Sequence, residues 1–236
     1  MKFLLSLLFL SFTINSNAQV DPVGDYNRHI ASNWKGEFAR IGPYRVKGTP
    51  HFYGVSLPGT ITFKAGRIES DKKIFYDLYH HKIGTDLNGV FIDIAENIQE
   101  FNVEIPEAYG GKKLTFKPTS AYATTPDLTW YLKNNELKGY FEVLTDGNKA
   151  SLLKYYKIAV VPDPVNIMDK ESRIFEQQYE YYVFNKTHNE LHKIKLKEKD
   201  ILKALHNDNS LKNLSSKVSF YKESEVAHFI SLYNLN

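Results

Sequence analysis

The chain has 236 residues, 42% of them apolar and 14% aromatic, which is enough for a packed core and too apolar for a disordered chain. A formal net charge of +3, with lysines interleaved with acids as in Lys195-Leu196-Lys197-Glu198-Lys199-Asp200, argues against the dense basic face that nucleic acid requires. The absence of cysteine excludes disulfides and thiolate chemistry.

The first eighteen residues read as a cleaved secretory signal. Lys2 precedes the apolar run Phe3–Phe12, a polar stretch follows, and small residues at Ser16 and Ala18 place a cut before Gln19. The run is shorter than the ~20 residues a membrane-spanning helix needs. Export without a lipid anchor is therefore expected, since such an anchor needs a cysteine. The protein would work in the periplasm, outer-membrane associated through partners, or outside the cell. The signal, with its Ala-Gln end, looks like those of Bacteroidetes envelope proteins.

Residues 19–48 are glycine-rich and mixed, and an irregular segment packing Trp34 and Phe38 is expected there. From 49 to 161 the pattern is β. Thr60–Lys64 alternates, Arg67–Glu69 and Lys73–Tyr79 follow, and Asn88-Gly89 signals a hairpin into Val90–Ile94. Ile98–Ile105, Leu114–Lys117, Thr129–Leu132, Gly139–Leu144 and Ala150–Tyr156 are further strand candidates, the last two joined by a turn at Asp146-Gly147-Asn148. Aromatic abundance favours strands as well. Val161-Pro162-Asp163-Pro164 breaks the ladder, and 162–178 reads as a linker or strap. Residues 179–236 read as a C-terminal module: strands Tyr179–Phe184 and Leu191–Leu196 forming a hairpin, a helix from Asp200, and a second after Asn209-Ser210. A final helix capped by Ser224 carries Val226, Phe229, Ile230 and Tyr233 on one face. The fold class is α+β, predominantly antiparallel β (sandwich or partly open barrel), with a C-terminal β-hairpin plus short helices.

The order of Gly139–Gly147, Leu152–Lys157, Glu180-Tyr181-Tyr182-Val183, His192–Lys195, Asp200–Leu205 and Glu225–Asn234 resembles a group of exported Bacteroidetes proteins with no established activity. The resemblance spans about residues 139–236, and more faintly 49–105. The terminal segment here carries fewer lysines than that group. It implies origin and fold, and no chemistry.

Candidate chemistry is sparse. Gly54-Val55-Ser56-Leu57-Pro58-Gly59 has Pro58 where a nucleophile elbow needs glycine, and it leads into a strand rather than a helix. His188 and His192 have the i, i+4 spacing of a zinc protease, but Glu190 is one position late and the stretch reads as a turn, which leaves adventitious metal binding. His80-His81 would diverge on a strand. His29, His51, His206 and His228 lie in unrelated segments. Asp77, Asp93, Glu104 and Glu142 fit the polar faces of strands, although two carboxylates meeting in a cleft would suit a glycosidase. Trp34, Trp130, Tyr131, Tyr155, Tyr156, Tyr181 and Tyr182 form the pool for an aromatic contact face. Adjacent pairs are expected to place one ring inside and one outside.

No cofactor, metal or catalytic residue is thus expected. The chain reads as a non-catalytic envelope module binding a protein or glycan. A β-barrel carrier of a small apolar ligand is the alternative, and a hydrolase the remoter one.

Overall fold

A computed structural model describes residues 39–87, 90–94, 97–207, 211, 215 and 218–235. The expected signal, Trp34, Phe38, His29, the Asn88-Gly89 turn and most of the 209–214 helix lie outside these residues.

Among the described residues, twelve strands share one sheet, antiparallel except at one junction and not closed on itself. They are β1 Ala39–Ile41, β2 Tyr44–Lys47, β3 Leu57–Phe63, β4 Ile68–Asp77, β5 Lys82–Leu87, β6 Val90–Asp93, β7 Ile98–Glu104, β8 Lys113–Pro118, β9 Tyr140–Thr145, β10 Ala150–Pro162, β11 Ser172–Asn185 and β12 Glu190–Ile194. The order across the sheet is β1-β2-β11-β10-β9-β8-β7-β3-β4-β5-β6, with β12 also on β11. The long pair β10–β11 runs in register from Ala150↔Asn185 to Pro162↔Arg173. Along its other edge, β11 takes β2 in parallel at Ser172–Ile174 and β12 antiparallel at Tyr181–Asn185. The sheet is continuous across the segments expected as separate, and β11 already occupies 172–178 of the expected linker. At Gly59, where β3 bulges between β4 and β7, a side chain would stand 2.0 Å from the Asn102 carbonyl, so only glycine fits.

One expected strand is a helix. Thr129–Leu132 lies in α1, Pro126–Asn134. The Thr125 hydroxyl accepts from the Leu128 amide at 3.2 Å, Pro126 occupies the first turn, and Leu128 and Leu132 bury the i, i+4 face. This capping outweighs the strand preference of Thr-Trp-Tyr. Two more helices follow: α2, Glu198–Ala204, and α3, Glu223–Leu235. The expected face of α3 is buried, with Val226, Phe229 and Ile230 at 0% exposure. Each such side chain contributes roughly 1.5–3 kcal/mol.

Strand registers sort the side chains into two faces. Phe101, Phe116, Glu142, Lys154 and Tyr181 are successive partners on one face; Phe141, Tyr155 and Glu180 lie on the other. The first face holds two cores. An aromatic core contains Phe52, Tyr76, Phe101, Phe116 and Tyr156. A second core forms where α2 and α3 cover Ala150, Leu152 and Val183. On the opposite face, α1 and Tyr122 cover Phe141, Leu153, Tyr155 and Tyr182.

Candidate functional site

Between the two cores of the first face the sheet carries charge. Glu142 on β9, only 2% exposed, accepts from the Tyr156 hydroxyl at 2.6 Å and from Lys112 Nζ at 3.4 Å. Glu223, at the start of α3, accepts from Lys154 Nζ at 2.9 Å and the Tyr181 hydroxyl at 2.8 Å, and it lies 3.9 Å from Lys112. Lys154 is enclosed by rings, 4.3 Å from the Tyr179 centroid, 5.2 Å from Tyr156 and 5.7 Å from Tyr181. Burial alone would raise the Glu223 pKa, but Lys154, the Tyr181 hydroxyl and Lys112 reverse this and hold it below the usual carboxylate value. The Tyr181 hydroxyl is pushed well up by burial and by Glu223. Lys112 thus bridges two carboxylates, and the whole seam is closed by internal partners.

The tyrosine pairs depart from the expected in-and-out alternation. Tyr155 and Tyr156 are both buried, because covering layers lie on both faces of β10. Tyr182 is buried, and Tyr181 is half-buried in the seam. The exposed ring lies two residues before the expected pair: Tyr179, 39% exposed, sits 5.5 Å from Tyr181 and 6.4 Å from Tyr156. Trp130 is 66% exposed on α1, while Tyr131 packs at the edge of the core beneath that helix.

The other candidates take separate places. Ser56 precedes β3, after a short 3-10 turn at Phe52–Gly54, so no strand-to-helix elbow forms. His80 binds Asp77 at 2.7 Å, whereas His81, in a left-handed turn conformation, lies 6.1 Å from Tyr155. The two rings diverge because they sit in a turn, not on a strand. Burial lowers the His81 pKa, and the nearby Lys138 lowers it further. His51 packs 5.0 Å from Phe75, and His228 is exposed on α3. Asp93 pairs with Lys82 at 2.5 Å, and Glu104 lies opposite Lys113. The four acids weighed for a glycosidase therefore have distinct partners. The acid that does come near Glu142 is Glu223, which only the docking of α3 could reveal.

His188 and His192 do not face each other as a chelating pair. His192 Nε2 lies 2.8 Å from Glu190 Oε2, and His188 stacks at 3.9 Å on His206, which belongs to no spacing motif with it.

The segment expected as a strap has a defined form. Asp163, 3% exposed on its side chain, accepts from Lys47 Nζ at 2.7 Å, Ser172 Oγ at 3.0 Å and the Val165 amide at 3.0 Å. Burial opposes ionisation of Asp163, yet Lys47 and these donors hold its pKa low. Asp169 pairs with Arg45 and accepts from the Glu171 amide at 3.0 Å. Backbone turns link Asn166 to Asp163, Asp169 to Asn166 and Ser172 to Asp169. From this clamped base project Val165, Ile167 and Met168, exposed at 77%, 79% and 94%.

No family model matches the chain, and neither a curated protein nor a solved structure matches it. No helix among the described residues is long and apolar enough to cross a membrane.

Proposed function

We propose that the chain is an exported, non-catalytic accessory module that docks a protein partner through the loop 163–171. The observation that carries this reading is the exposure of three consecutive-turn apolar side chains, Val165, Ile167 and Met168, on a loop whose ends are fixed by Asp163 and Asp169. Water-exposed apolar side chains grouped on one tip are what a protein interface uses and what an isolated surface avoids. A loop already held in shape loses little conformational freedom on binding. The loop bears Asp163, Asp169 and Glu171 against Lys170, with Arg173 just beyond it in β11, a balance that favours a protein over an anionic lipid surface.

Other features weigh against the alternatives. The tyrosine–lysine–glutamate seam is occupied by its own internal bonds, which disfavours it as a glycan platform. Phe101 stacks on Phe116 at 4.7 Å, and Phe52 meets Tyr156 at 4.9 Å, so rings fill the space an apolar ligand carrier would need. A cleft beside α1, lined by Thr119, Ala123, Leu132 and Leu137, encloses about 290 Å³, at the low edge of the roughly 300–1,000 Å³ typical of ligand sites.

The test is a photo-crosslinking amino acid placed at position 168 in cells of the native host, with position 130 as an exposed control on a different surface. One dominant protein adduct at 168, absent at 130 and absent when Val165→Ser and Ile167→Ser are added, is expected. Equal adducts at both positions, or none at 168, would refute the docking role. N-terminal sequencing of the mature protein tests export, with Gln19 expected as its first residue.

A further inference from the structure

The groups around the β11–β12 turn and the end of α2 are used by nothing above. Glu190 and His192 are two residues apart on β12, so both side chains leave the same face of the strand. His206 comes from elsewhere in the chain, just past the C-terminus of α2. There the backbone turns left-handed at His206 (φ 56°) and Asn207 (φ 51°), and their amides close the helix on the carbonyls of Lys203 at 3.0 Å and Leu202 at 2.8 Å. That turn carries the imidazole to Glu190. Nε2 of His206 lies 2.7 Å and Nε2 of His192 2.8 Å from the same oxygen, Glu190 Oε2. His188 lies flat on His206, with rings 3.9 Å apart and 16° from parallel, and is itself held by Asn185.

Two properties set this cluster apart from an ordinary surface ion pair. The first is convergence. One carboxylate oxygen and two imidazole nitrogens, drawn from two elements, lie within 4.8 Å of one another. The second is backbone cost. Asn189, His206 and Asn207 all hold positive φ, a conformation that costs these residues free energy that glycine would avoid. A helix ending of this kind normally takes glycine. Here it takes a histidine aimed at an acid.

We propose that Glu190, His192 and His206 form a site for a divalent transition-metal ion, Zn2+ foremost, which ties the end of α2 to β12. Imidazole and carboxylate together suit Zn2+, Cu2+ or Ni2+ better than Ca2+ or Mg2+, which take oxygen ligands. A tetrahedral zinc with bonds of about 2.0–2.2 Å separates its ligand atoms by roughly 3.3 Å. The two nitrogens need to retreat from Glu190 Oε2 by about half an ångström and to come to about 3.3 Å from each other, from within 4.8 Å, which rotations of partly exposed side chains can supply. Three protein ligands leave the fourth position to water, and side-chain exposures of 37–43% allow it entry. His188 is the outer support, fixing the plane of the His206 ring as outer-shell groups commonly do.

The experiment is calorimetric titration of the tag-free mature chain with Zn2+, alongside thermal unfolding with and without the metal. One equivalent of Zn2+, removable by EDTA, and a rise in the unfolding midpoint are expected. The decisive variant is His206→Gly. Glycine prefers the left-handed backbone there, so the metal-free variant folds as well as the parent, while Zn2+ affinity falls at least about tenfold and the midpoint rise disappears. His192→Ala behaves in the same way toward Zn2+. His80→Ala, at the Asp77 pair, leaves Zn2+ binding unchanged. Absence of stoichiometric binding at about 100 μM Zn2+ would show a hydrogen-bonded cluster only and overturn the proposal. Undiminished binding by His206→Gly would overturn it equally.

Discussion

The C-terminal end of α3 is held by one amide, and its removal has a calculable effect. Asn234 Oδ1 accepts from the amides of Lys149 at 2.8 Å and Ala150 at 2.9 Å. Its Nδ2 donates to the carbonyls of Ala150 and Ile230, each at 2.9 Å. The side chain thus completes the β9–β10 turn as a further strand would. Asn234→Ala removes three bonds to the turn. At about 0.5–1.5 kcal/mol net for each, with buried Ala150 unable to replace its partners fully by water, a loss of about 2–4 kcal/mol is expected. Gly147 is the second half of the contact. A Cβ there would stand 2.2 Å from Asn234 Cγ, so Gly147→Ala must expel the amide from its seat. In the parent, this substitution should therefore cost about as much as Asn234→Ala. With Asn234 already Ala the obstructed atoms are gone, and Gly147→Ala should cost less than about 1 kcal/mol. Urea unfolding of the four proteins in the cycle measures the coupling, expected at 1–3 kcal/mol. Additive losses would refute this account of the turn.

Two further outcomes follow from the charged groups. Lys154→Met keeps the aliphatic stem among Tyr156, Tyr179 and Tyr181 but removes the partner of Glu223; a loss of about 2–4 kcal/mol in urea unfolding is expected, shrinking when Glu223→Gln is added. Burial would raise the Glu180 pKa, but Lys157 at 2.5 Å, Lys193 at 2.8 Å and the Tyr182 hydroxyl at 2.9 Å bring it down to about 2. Asp146, also opposed by burial, is brought to about 2 by Lys186, Ser151 and Lys117. Both folded-state values lie below the unfolded ones. The stabilisation is therefore complete above about pH 5 and is lost as pH falls through 4 toward 2, so the urea midpoint should drop over that window, with a shallower drop in Glu180→Gln.

How far this architecture is legible in the sequence depends on the range of the interaction involved. Period-two runs and turn residues place β3, β9 and the start of β10 to within a few residues, although β10 runs six residues past its expected end at Tyr156, and the face of α3 is readable from the spacing of Val226, Phe229, Ile230 and Tyr233. Where a short-range signal competes with composition, composition misleads. Thr129-Trp130-Tyr131 has strand-like residues, yet Thr125-Pro126 starts a helix one turn earlier. Long-range placement leaves no local trace. Pro162 and Pro164 mark a break, but not that Asp163 will be seated on Lys47, 116 residues away. Glu223 reads as an ordinary helix-start acid until α3 docks beside Lys154. His206 belongs to no spacing motif, because a left-handed helix end brings it to Glu190. In-and-out alternation of the tyrosine pairs presumes a sheet with one wet face, whereas β10 is covered on both.

The single parallel junction has a consequence for the order of assembly. β2 finds its partner at the start of β11, with Arg45 and Asp169 separated by 124 positions. Pairing the early ribbon β1–β2 with β11 closes a loop of more than a hundred residues, so it follows the formation of the local hairpins. Until β11 forms, the open edge of the ribbon is a surface for unwanted pairing. Residues 163–173 thus have two tasks: the stretch that presents the apolar tip also latches the β1–β2 ribbon onto the sheet through Arg45 and Asp169.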